Sequence, residues 1–227
     1  MSFTNFSPTW FFGIDVALEF LFAIILLAVA LFGFKIYKST CQRYVKYFSI
    51  AFLFIGISYV IQSIFNYLVV SKLNETVCYV IKVNSIALFN LYGMYAHMFF
   101  MTIGLVILVY MTFKIEDKRP LWLLMIISLL AIFFSYNTLY IFFLLSSVYL
   151  IFLVWHFLDN YLRNKTKNSL IIVVAFLFLF FGSIHFTFSM NHSLFYVVGH
   201  ILELFAYLLI LVNLLTIKKN EKKKRSS

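Results

Sequence analysis

Long apolar runs separated by short polar segments occupy most of the chain. Those over 10–34, 47–71, 86–113, 170–190 and 194–217 are each long enough to form a helix across a bilayer. A ~30 Å hydrocarbon core takes about 20 residues at 1.5 Å of rise each. From Leu121 to Leu158 the chain stays apolar for 38 residues. As one helix this would reach ~57 Å, so it must fold back. The polar group Ser135-Tyr136-Asn137-Thr138 supplies the turn and divides it into helices over 121–136 and 138–158. The pattern predicts an all-α fold, a polytopic integral membrane bundle of seven transmembrane helices over 1–217 with a basic tail over 218–227.

The interruptions of the apolar pattern carry the chemistry. In the last run, LFYVVGHILELFAYLLILVNLLTI, the residues Tyr196, His200, Glu203 and Tyr207 are spaced by four, three and four and share one helical face. An ionisable side chain inside an apolar run is expensive, so this face should look into protein or a water-filled cavity. Asp15 and Glu19 share a face of the first run, and Tyr59, Gln62 and Asn66 form a polar stripe on the second. The third run holds Asn90 and His97, with Gly93 and Gly104 placed to let a neighbouring helix approach closely, and the sixth holds His185.

Composition removes the soluble classes. The chain is 64% hydrophobic, 21% aromatic and only 11% charged, which is membrane-protein usage. Its net charge of +10 therefore reports topology, since Lys and Arg collect in cytoplasmic loops, and nucleic acid is not an expected partner. Sixteen of the 18 Lys and Arg fall on one side of the predicted bundle, and only Lys72 and Lys82 on the other. The leading MSFTNFSPT has no basic residue, so the first run reads as a retained helix and not a secretory signal. The N-terminus is thus expected outside and the C-terminus inside, in a multi-pass protein of the cell membrane. The bilayer is the first partner, and anionic lipid should attract the cytoplasmic tail at ~1 kcal/mol per basic residue. Cys41 and Cys78 fall on opposite sides, which excludes a disulfide between them. Asn74-Glu75-Thr76 has the form of a glycosylation acceptor on the outer side.

With helices alternating in direction, Asp15, Glu19, Gln62, Asn66, His97, His185, His200 and Glu203 all fall in the outer half of the membrane, roughly 5–17 Å deep. Structural polar groups have no reason to prefer one leaflet, so the pattern points to a polar pocket open to the outside. A lone His or Asn in a membrane helix commonly serves as an interhelical hydrogen-bonding group. An intramembrane carboxylate is a functional candidate by default, and Asp15, Glu19 and Glu203 are three of eight acidic residues. A sensory or ligand-binding module is the reading that follows. One alternative is a metal- or haem-binding redox protein or enzyme using His97, His185 and His200; another is a structural or accessory subunit. Polar groups are scarce in the inner half, which argues against a proton path. Gly-rich phosphate loops, GxSxG and HExxH are all missing, so a non-catalytic role is expected and no cofactor is identified.

Seven helices with an outer N-terminus resemble the rhodopsin arrangement, but no lysine lies between Leu194 and Ile217 to form a retinal Schiff base. The intramembrane hydrolases related to ceramidases carry HxxxH in their last helix, where this chain has HxxE. The segment GHILELFAYLLIL, Gly199 to Leu211, together with the helix count, is similar to the seven-helix membrane sensory modules that precede prokaryotic histidine kinases. That resemblance implies a sensor. Since no kinase domain follows before Ser227, the sensor would signal through a cytoplasmic or membrane partner.

Overall fold

The computed structural model describes residues 8, 10, 11, 13–73, 79–115, 117–189 and 192–226, with side chains at all of these but 70, 72, 73, 79–87, 89 and 218–226. All regular structure among them is helical: α1 (Ile14–Thr40), α2 (Arg43–Leu73), α3 (Tyr79–Phe113), α4 (Arg119–Phe133), α5 (Thr138–Asn164), α6 (Lys167–Phe188) and α7 (Ser193–Ser226). The Asn74-Glu75-Thr76 acceptor and Cys78 lie outside the described residues.

Several helices run past the apolar segments that announce them. An apolar run measures the thickness of hydrocarbon, whereas a helix continues into the interface wherever Lys and Arg can reach water. Thus α1 extends through Lys35 and Lys38 until Cys41 turns left-handed at φ 55°, and α5 passes Arg163 before Lys165 does the same at φ 48°. Side-chain caps open two of the helices. The Tyr140 N–H donates to Asn137 Oδ1 at 3.4 Å to start α5, and the Ser169 N–H donates to Thr166 Oγ1 at 3.2 Å to start α6.

Six of the seven helices are long and apolar enough to cross a membrane; α4, with 15 residues, is not. Its ~22 Å is short against a ~30 Å core, as the 16-residue run over 121–136 already implied. The helix ends at Phe133, three residues before the predicted limit, because the Ser135 hydroxyl turns back to the Ile132 carbonyl at 3.0 Å. It nonetheless carries the chain back along α3, its last turn stacking Phe133 on Tyr95 with ring centroids 5.6 Å apart.

The long helices form a closed circuit. Each of α1, α2, α3, α5, α6 and α7 packs on the next in that order, and α7 closes on α1; among the described residues α4 packs on α3 and α5 alone, from outside. Large apolar side chains cover the outer surface, including Phe20, Leu31, Ile64, Trp122, Ile126 and Leu144, as lipid contact requires. The basic residues at the α1–α2, α3–α4 and α5–α6 connections lie at one end, away from Lys72 and Lys82. There the Arg163–Asp159 pair closes at 2.9 Å, and the Tyr110 hydroxyl ties the α3–α4 connection by donating to the carbonyls of Ile115 and Asp117, at 3.1 and 3.0 Å.

In lipid, helices associate through close packing, with no hydrophobic drive between them. At Gly104 a Cβ would stand 2.5 Å from Ile55 Cγ1 and 2.9 Å from the Ala51 carbonyl oxygen, so only glycine lets α3 approach α2 this closely. Gly104→Ala is therefore expected to lower stability by about 1–3 kcal/mol, the usual cost of overpacking. Thermal unfolding in detergent reads this out as a fall in Tm.

Candidate functional site

The six-helix circuit surrounds a partly open cavity of about 530 Å³, walled by side chains from all six members and by no described residue of α4. Seven of the eight polar residues singled out from the sequence line it: Asp15 and Glu19 on α1, Gln62 and Asn66 on α2, His97 on α3, and His200 and Glu203 on α7. His185 does not. Its Nδ1 donates to the Phe181 carbonyl at 2.7 Å, and its ring lies against Phe195. The wall of α6 is formed instead by Leu179, Ser183, Phe186 and Ser189. His185 is two residues from Ser183, about 200° around the helix, so equal depth does not give it the same face.

Close helix contact seats the α7 face. A Cβ on Gly199 would fall 2.8 Å from the Phe186 ring, and one on Gly182 would fall 3.3 Å from the Gly199 carbonyl oxygen. With α6 and α7 this near, His200 and Glu203 turn toward the cavity, buried to 4% and 8% exposure. The His200 Nδ1–H donates to the Tyr196 carbonyl at 3.1 Å, which fixes the tautomer of the neutral ring and leaves Nε2 as its acceptor. The Tyr59 and Tyr207 hydroxyls meet at 3.1 Å, with the Glu203 carboxyl beside Tyr59. Phe22 packs edge-on against both tyrosine rings at 5.4 Å.

The other carboxylates are held on α1, the wall adjacent to α7. Asn66 Nδ2 donates to both oxygens of Glu19 at 2.9 Å, and Gln62 lies alongside the same carboxyl. Asp15 accepts the backbone N–H groups of Gly13 and Val16 at 2.8 and 2.9 Å, satisfying donors at the start of α1. Two buried polar atoms of the lining have no partner, Gln62 Oε1 and His97 Nδ1. The described lining contains no Lys or Arg.

Sequence reasoning missed the apolar half of the site. Along α3 the lining runs Leu88, Asn90, Leu91, Met94, His97, Met98, Met101, Leu105 and Leu108, so it is mixed as far as His97 and wholly apolar from Met98 onward. The spacing of 90, 94, 97, 101, 105 and 108 by four, three, four, four and three was a legible signal of one face. Ser146 and Leu150 of α5 and Phe52 and Ile55 of α2 complete this part.

Among the described residues no three His, Cys, Asp or Glu side chains are grouped to hold a metal ion, so the metal-binding alternative finds no ligand set there. His97 and His200 line the cavity while His185 stands apart, which also separates the three histidines considered for haem. A circuit of membrane-length helices around an internal cavity defines a multi-pass α-helical membrane protein with a buried polar site. No family model, curated protein or solved structure matches the chain.

Proposed function

We propose that this is a ligand-binding membrane protein of sensory type, whose cavity receives a small molecule from the outer side. The observation that supports it is the gathering of seven polar side chains from four helices around one cavity, where interhelical bonding alone would leave no space. Its volume of about 530 Å³ is that of a small-molecule site, within roughly 300–1,000 Å³. The unpartnered Gln62 Oε1 and His97 Nδ1 are groups that a ligand or its water would satisfy. The charge asymmetry supports an N-terminus outside and the basic end inside, where a signalling partner would dock and the tail would meet anionic lipid.

The test is a thermal-shift screen of small and amphiphilic molecules on the protein in nanodiscs. A ligand at a hundred times its Kd should add about 2.7 kcal/mol, or roughly 5–10 °C of Tm. That shift should disappear in Met94→Trp and in Ser146→Leu, which fill the cavity from α3 and α5. An equal shift in the filled variants would place binding elsewhere, and a screen without any stabilising compound would likewise remove the reading.

A further inference from the structure

Resting on the reading of the cavity as a ligand site, we propose that it takes a cationic amphiphile, with an ammonium head among Asp15, Glu19 and Glu203 and an apolar body along Met94, Met98, Met101 and Leu105. The sign follows from the lining. Asp15, Glu19 and Glu203 are exposed to only 4%, 3% and 8%, and no described Lys or Arg lines the cavity with them. Ion pairs among the described residues are Arg119–Asp117 and Arg163–Asp159, both exposed and distant from it in the chain. A carboxyl buried without a cation keeps its proton and ionises when a cation is placed beside it. A buried charge requires a paired charge, and an entering ammonium provides one.

The hydrogen-bonding inventory points the same way. Glu19 already accepts from Asn66 Nδ2 at both oxygens, while the buried acceptor Gln62 Oε1 has no donor. A site rich in acceptors selects a ligand that donates, and an ammonium donates three N–H bonds. Tyr59, Tyr196 and Tyr207 line the same part of the cavity, and tyrosine faces attract ammonium through their quadrupole. The apolar body follows from the change of lining along α3 from Asn90 to Leu108, over about 27 Å.

The experiment measures Tm of the full chain in phosphatidylcholine nanodiscs titrated with dodecylamine, dodecanol and dodecanoate. Dodecylamine should bind at least tenfold more tightly than either chain-matched analogue. Glu203→Gln and Glu19→Gln should each weaken the amine tenfold or more and leave dodecanol unchanged. Competition by phosphatidylethanolamine in the disc would support the class with a bilayer aminolipid as source; its failure to compete would support a free amine. Equal affinities for amine and alcohol, or amine selectivity intact in both Gln variants, would overturn the cationic class while keeping the cavity as a ligand site. Absence of binding by all three probes would remove the cavity reading itself.

Discussion

Asn66→Leu is expected to destabilise the bundle by about 1–3 kcal/mol, the cost of leaving a buried hydrogen-bonding group unsatisfied. The side chain donates to both Glu19 oxygens at 2.9 Å from a neighbouring helix, and Glu19 is 3% exposed. Leucine fits lipid-like surroundings but leaves the carboxyl without those donors, and an orphaned buried group costs more than a pair replaced together. The double variant Glu19→Leu/Asn66→Leu should therefore recover most of the lost stability. Chemical or thermal unfolding of the four proteins measures the coupling directly. Additive losses would show that the α1–α2 contact does not depend on this pair.

Glu203→Gln is expected to act on binding and hardly at all on folding. Glutamine keeps the length and the hydrogen-bonding capacity of Glu203 while removing a carboxylate from a site 8% exposed, so Tm should stay level or rise. Affinity for a cationic ligand should fall about tenfold to a hundredfold, the loss of one charge-assisted hydrogen bond. His200→Gln, with its ring now known to bond Tyr196 and face the cavity, should also weaken binding. Wild-type binding in both variants, at unaltered stability, would make the α7 polar face a packing device.

The helices were legible because lipid enforces long apolar runs and the carboxylates stand out against them. Asp15, Glu19, His200 and Glu203 could be placed on faces by spacing alone. The order of the helices around the cavity was not, since α4 is as apolar as its neighbours and nothing in its residues marks it as external. His185 shows what depth cannot supply. Its expected depth matches that of the other polar candidates, but it does not line the cavity, and the angular register about 200° from Ser183 accounts for that. The methionines of α3 went unremarked because an apolar side chain in a membrane helix carries no signal until the enclosed space is known.

The central claim is that a cavity accessible to polar molecules exists inside the six-helix circuit, and cysteine accessibility tests it most directly. In a background with Cys41→Ser and Cys78→Ser, single cysteines would replace Met94, Met101 and Ser146, which line the cavity, or Phe99 and Leu144, exposed to 37% and 44% on the outer face. A small cationic methanethiosulfonate should modify the first three and spare the other two, although Phe99 lies between Met94 and Met101 in sequence. Protection at Met94, Met101 and Ser146 together, under conditions where the folded protein stays intact, would contradict the cavity and with it the functional account.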